Sequence, residues 1–220
     1  MKVRVHKGRA RFAAALALVF GLVDTAWATR PMTVEDANVA DVGEVELSTW
    51  LARDGDRSRV WNNSLEVGVL QGVQLAAEWA RNTSAHYNTA QLGIKLAVTP
   101  TVERSCWLAA TASLAHADHG GGQGHAFGGA LSCQWQRWTL HTNLGGEREP
   151  GERTVGAWGV ALERPFGSVT AHVEMFGQRH ASPTVQAGLR TKLAKGMQLD
   201  GSWGRAERRA VFSVGLTFSF

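Results

Sequence analysis

From Arg209 to Phe220 apolar and polar residues alternate up to the carboxyl terminus. Ala210, Phe212, Val214, Leu216, Phe218 and Phe220 share one parity, and Arg209, Ser213, Gly215, Thr217 and Ser219 take the other, with Val211 the one exception. A period of two over this length predicts a strand with one apolar and one polar side. A terminal strand of this kind frays or aggregates unless something covers it, so a sheet or a membrane is expected to hold it. The same alternation recurs upstream. In Val42 to Asp54, Val45, Leu47, Thr49 and Leu51 oppose Glu44, Glu46, Ser48 and Trp50; in Asn63 to Val69, Leu65, Val67 and Val69 oppose Ser64, Glu66 and Gly68. Val73, Leu75, Ala77 and Trp79 then oppose Gln74, Ala76 and Glu78, and Leu92, Ile94, Leu96 and Val98 oppose Gln91, Gly93, Lys95 and Ala97.

Weaker alternation marks Cys106–Leu114, Phe127–Trp135, Trp138–Leu144, Val155–Leu162, Val169–Phe176, Val185–Leu193 and Met197–Trp203. With the closing strand the count is about twelve, the even number that bacterial barrels use. Connections sort by parity. Tight turns are expected at Gln71-Gly72, Gln136-Arg137, Pro165-Phe166-Gly167 and Ala194-Lys195-Gly196, with Thr99–Arg104 a longer exception. The alternate connections, Arg53–Val60, Arg81–Thr89, His116–Ala126, Gly145–Thr154, Gln178–Pro183 and Gly204–Arg208, hold most of the longer, charged or Gly-rich ones. Short turns at one end and longer loops at the other predict an all-β fold, an antiparallel transmembrane β-barrel of about twelve strands.

The amino terminus reads as a secretory signal. Lys2, Arg4, Lys7, Arg9 and Arg11 form a basic start, Phe12 to Val23 an apolar stretch, and Ala26-Trp27-Ala28 a small-x-small cleavage site. The expected organisation is a cleaved signal over 1–28, a polar periplasmic segment over 29–41, and a barrel over 42–220. The apolar stretch is too short to span a bilayer as a helix, which leaves a closed barrel as the membrane-crossing option. Cleavage would remove five basic residues and Asp24, so the +4 formal charge of the whole chain falls to balance. Without a basic excess, nucleic acid is not an expected partner. Nine Trp against a single Tyr, several near strand ends, suit the aromatic girdles of a barrel.

Two resemblances add to this reading. The closing strand resembles those of bacterial outer-membrane barrels, which implies that Phe218 and Phe220 act as a signal to the barrel-assembly machinery. Arg30-Pro-Met-Thr-Val-Glu-Asp-Ala37, Val42-Gly-Glu-Val-Glu-Leu47, Ser64-Leu-Glu-Val-Gly68, Val73-Gln-Leu-Ala-Ala-Glu-Trp79 and Gln91-Leu-Gly-Ile-Lys95 resemble the opening strands of the outer-membrane family named after the meta-pathway of phenol degradation. That resemblance covers roughly residues 30 to 98. It implies a bacterial outer-membrane location, outer-membrane lipid as surroundings, and passage of small solutes, often apolar or aromatic. The chain departs from the family in its Ala-rich strands, its scarcity of Tyr and its cysteines.

Candidate chemistry is sparse. Cys106 and Cys133 fall on adjacent strands of one hairpin at matching distances from the His116–Ala126 loop, and the periplasm is oxidising, so a disulfide is expected. His116, Asp118, His119 and His125 are donor types for a metal, but their spacing matches no closed motif; a flexible Gly-rich loop and no cofactor are expected. His172 and Glu174 share a strand face, with His141 also on an inner parity. No Gly-x-Ser-x-Gly elbow accompanies them, so a lipid-modifying enzyme stands behind a channel and behind a purely structural or adhesive barrel.

The expected lumen carries an acidic wall, Glu44, Glu46, Glu66 and Glu78, flanked by Lys95, Arg190 and Lys192. Charges in a narrow channel either pair across it or face water, so this wall predicts a braced lumen or a narrow, weakly cation-preferring passage for small solutes.

Overall fold

A computed structural model describes residues 32–53, 58–99, 105–118, 122–149 and 153–220. The proposed signal, residues 1–28, lies outside the described residues. Twelve strands follow one another: β1 (Val45–Arg53), β2 (Arg59–Leu70), β3 (Val73–Asn82), β4 (Tyr87–Ala97), β5 (Cys106–Ala117), β6 (Gln123–Trp135), β7 (Trp138–Arg148), β8 (Val155–Phe166), β9 (Val169–Gln178), β10 (Thr184–Ala194), β11 (Met197–Ala206) and β12 (Arg209–Ser219). Each pairs antiparallel with its neighbours in sequence, and β1 pairs with β12, so the sheet closes on itself without an edge. Among the described residues no helix is long and apolar enough to cross a membrane.

The expected alternation sorts the wall into two faces. On β12, Phe212 and Val214 are exposed outside the barrel, while Val211, Gly215 and Thr217 are buried inside it. Leu47, Leu51, Trp61, Leu65, Leu75, Trp79, Leu92 and Ile94 continue the outer band across β1–β4. Such a surface is uncovered by protein all the way round, and is favourable only against hydrocarbon.

The seam is held by the terminal residue. Phe220 N–H donates to Val45 O at 2.9 Å, and Val45 N–H donates to Phe220 O at 3.3 Å. In register, Leu47 faces Phe218 and Trp50 faces Gly215.

Two boundary corrections follow from this ladder. Several strands run further toward the loops than the alternation suggests, because cross-strand pairing continues past the apolar residues. β5 extends to Ala117 and β2 starts at Arg59. Pro165 and Phe166 lie inside β8 rather than in a turn, and the chain reverses after them with Gly167 at φ 66°. Pro is tolerated there because it stands next to the end of a strand.

Cys106 and Cys133 are bonded and directly opposite in the β5–β6 register, with Cα atoms 4.0 Å apart.

Residues 32–41 are not outside the barrel. The expectation of a segment on the periplasmic side is corrected here: Met32, Val34, Asp36 and Ala37 are buried within the lumen. Buried and exposed residues alternate from Met32 to Asp36, bends interrupt the segment at Thr33, Val34 and Ala37, and several of its amides are bonded to side chains of the wall.

Candidate lumen passage

The amino-terminal strap enters the barrel over a tight turn. Glu44 N–H donates to Asp41 O at 3.0 Å, with Gly43 at φ 86° between them, a conformation that favours Gly. Gly68 lets this turn lie against β2, since a Cβ there would stand 1.9 Å from Asp41 O. Beyond the turn each exposed strap amide needs an acceptor in the absence of a neighbouring strand. Ala40 N–H donates to Gln74 Oε1 at 2.9 Å, Ala37 N–H to Ser132 Oγ at 2.8 Å, and Glu35 N–H to Asn143 Oδ1 at 2.7 Å. Thr33 N–H and Val34 N–H both donate to Glu174 Oε2 at 2.9 Å. The strap is thus bonded to β3, β6, β7 and β9 through side chains alone.

Small residues make room for it. Ala37 packs with Ala109, Ala130, Val39 and Trp107, while Met32 and Val34 pack with Ala161 and Phe176. The Ala-rich, Gly-rich character of β5 to β8 is therefore the imprint of the strap on the wall. These two clusters form the apolar core inside the barrel.

The strap divides the lumen. On the loop side lies a cavity of about 560 Å³ floored by Met32 and Val34. On the side of the carboxyl terminus and the tight turns lies one of about 820 Å³, reaching Phe220. Glu66, Gln74 and Lys95 line both. The two spaces therefore adjoin along β2–β4, where Gln74 and Lys95 also hold the strap.

The sequence-derived lumen residues all take the inner parity, but they do different things. Glu44 sits in the turn before β1, where its Oε2 accepts from Asp41 N–H at 2.8 Å. Glu46 lines the terminus-side cavity, Glu78 the loop-side cavity, and Glu66 accepts from Gln74 Nε2 at 2.5 Å between them. Lys95 does not simply flank the acidic wall: it reaches the strap, 3.7 Å from Glu35 and 3.5 Å from Asp36. Lys192 is an exposed residue near the end of β10, where its register partner is Gln198.

Arg190 is paired with Glu163, a carboxylate the sequence reading did not single out. Glu163 belongs to a polar belt around the other half of the wall. Ser132 Oγ lies 2.7 Å from His141 Nδ1, and His141 Nε2 lies 3.7 Å from Glu163 Oε2. In the neighbouring registers Glu163 stands opposite His172, and Arg190 stands opposite Asp200. Strict alternation was the signal that pointed to Glu163 and Asp200, but the weak amphipathicity of their strands obscured it.

The Ser–His–Glu order of this belt resembles a nucleophile and its base. Ser132, however, is 0% exposed and already accepts Ala37 N–H beneath the strap. His172 Nε2 and Glu174 Oε1 are 4.0 Å apart with side chains 0% exposed, and Glu174 is committed to the strap. No approach to either group is open to a substrate in this arrangement.

The His-rich loop shows no assembled donor set. Among the described residues no group of three metal-donor side chains converges; Asp118 accepts from Asn88 Nδ2 at 2.7 Å, and His125 lies 3.3 Å from Thr154. His119 is outside the described residues.

A closed antiparallel barrel with an apolar outer face and a segment packed inside its lumen defines a transmembrane β-barrel of the porin-like class. The chain belongs to the family described as uncharacterised conserved protein UCP029691, whose model matches residues 16–220. No curated protein matches the sequence. Among solved structures, the fold is similar to a KdgM porin in complex with disordered oligogalacturonate, with a TM-score of 0.68 and 12% identity over 80% of this chain and 99% of that one. It is also similar to the NanC porin, with a TM-score of 0.58 and 10% identity over 79% of this chain and 98% of that one.

Proposed function

We propose that this protein is a passive channel of the bacterial outer membrane, exported by its signal peptide and placed by the barrel-assembly machinery through Phe218 and Phe220. It passes small solutes along a narrow path between the strap and β2–β4. The observation that carries this reading is a lumen with a cavity on each side of the strap, the two sharing Glu66, Gln74 and Lys95 in their walls. The fold shared with porins and the outer apolar band support it.

The solute class follows from what the path presents. Met32, Val34 and Phe176 give the loop-side cavity an apolar floor, which suits the apolar or aromatic solutes implied by the likeness over residues 30–98. Glu35, Glu66, Glu78 and Glu147 line the same cavity against Lys95, the one cation among its described lining residues, itself held by the strap. Neutral or cationic solutes are therefore favoured over anions.

A second reading has its own observation. The strap is hydrogen-bonded to four strands and ion-paired to a fifth through Lys95, and a strap that never leaves suits a structural barrel without transport. Planar-bilayer recordings separate the two. The channel reading expects small, stable conductance steps from the folded protein and larger steps from a variant lacking residues 32–40. If only the shortened variant conducts, the strap is a permanent stop and the structural reading holds; silence from both variants refutes the channel.

A further inference from the structure

The outer surface carries a cluster of cations that the lumen does not use. Arg53 ends β1, Arg59 begins β2 and Arg81 lies near the end of β3, all on the outward parity shared by Leu51, Trp61 and Trp79. Arg53 and Arg59 stand directly opposite each other in the ladder, and Arg81 stands opposite Trp61. Directly opposed side chains are about 5 Å apart at Cβ, and like charges so placed repel. Among the described residues none of these three guanidinium groups has a carboxylate partner. The neighbouring carboxylate around the rim, Asp118, is held by Asn88.

Immediately below the three arginines the wall is apolar and ordered. Trp61 and Trp79 meet edge to face at 5.9 Å, and Trp61 Nε1–H donates to Thr49 Oγ1 at 2.8 Å. Leu51, Trp61, Trp79 and Leu65 are all exposed on this side. The Arg cluster therefore stands where the hydrocarbon ends, on the side of the loops.

We propose that Arg53, Arg59 and Arg81 bind the phosphate of a glycolipid of the lipid A type, with its acyl chains on Leu51, Trp61, Trp79 and Leu65. A phosphate between opposed guanidinium groups converts their repulsion into charge-assisted, bidentate hydrogen bonds. A free anion satisfies the arginines but leaves the tryptophans without a role; a lipid-borne one uses both. The inference rests on the outer-membrane location proposed above, since that glycolipid is a component of the outer leaflet.

The test is a titration of the folded protein in zwitterionic detergent, followed by tryptophan fluorescence and native mass spectrometry. Bis-phosphorylated lipid A is expected to bind at least about tenfold more tightly than phosphate-free lipid A. The R53Q/R59Q/R81Q variant is expected to lose at least about that factor, and R53K/R59K/R81K to recover part of it, as for hydrogen bonds to charged groups. Equal binding of the two lipids, unchanged binding by the glutamine variant, or complete displacement of the lipid by equimolar inorganic phosphate overturns the proposal. Should the triple variant not give the heat-modifiable folded band, R59Q alone carries the test, and unchanged binding in it is equally decisive. Cell fractionation tests the location separately, so failure of the lipid site and failure of the outer-membrane reading give different results.

Discussion

Val34 occupies the space that Gly159 leaves in the wall of β8: a Cβ at position 159 would stand 2.8 Å from Val34 Cγ2. This contact fixes the depth of the strap, because Val34 is 1% exposed and its amide is bonded to Glu174. Gly159→Val is expected to lift the strap while leaving the β7–β8–β9 ladder intact. Hydrogen exchange of the strap peptide tests this: the amides of Val34 and Ala37 should exchange faster in the variant, and unchanged protection would show that the wall accommodates the larger side chain.

Glu174 is the strongest single anchor, since one oxygen takes two strap amides and the other takes Gln186 Nε2 at 2.7 Å. Glu174→Ala leaves two backbone donors without their acceptor, at a cost of about 1–3 kcal/mol for each one that stays buried. Glu174→Gln keeps a carbonyl oxygen and is expected to be milder. Denaturant unfolding in micelles gives the ranking, wild type above Gln above Ala; equal midpoints for the two variants would contradict the anchoring role.

The disulfide predicts a simple chemical result. Native, unreduced protein takes up no alkylating group, and two after reduction under denaturing conditions. Cys106→Ser with Cys133→Ser still closes the barrel, because the β5–β6 ladder runs on from Trp107 opposite Ser132 to His116 opposite Gln123 without the bond. The double variant is expected to lose on the order of 2–4 kcal/mol of stability, measured as a shift of the unfolding midpoint.

Charge selectivity depends on both sides of the path. Glu66→Gln with Glu78→Gln is expected to weaken cation preference, as read from the reversal potential in a salt gradient. Lys95→Gln acts in the opposite direction, since it leaves Glu35 and Asp36 without the ammonium group that faces them. A reversal potential that responds to neither change would remove the acidic wall from the permeation path.

The wall was legible in the sequence and its contents were not. Phe212, Val214, Leu216 and Phe218 against Ser213, Gly215 and Thr217 declare a strand and its faces, because the alternation of side chains is local geometry. Cys106 and Cys133 could be paired for the same reason: hairpin register follows from counting outward from a turn. The strap carries only a faint form of that signal in Met32, Val34 and Asp36, and its partners are distant in sequence. Ala109, Ala130, Gly159 and Ala161 are the complementary trace, an inner wall with too little side chain to fill itself. Counted as composition they looked like a departure from the family that the opening strands resemble; counted by parity they mark a groove. Glu163 was hidden in a similar way, since its partner Arg190 lies two strands away.

The strap also bears on the order in which the molecule is made. Val34 precedes β1, yet its amide partner Glu174 lies 140 residues later, and the ring is completed only when Phe220 pairs with Val45. A contact of such long range forms late and slowly. The first described residues to leave the ribosome are thus among those enclosed last, and they must already lie inside the curling sheet when its two edges meet. The wall then closes around a strap that it must take in, and Gly159 and Ala130 are the places where it leaves room.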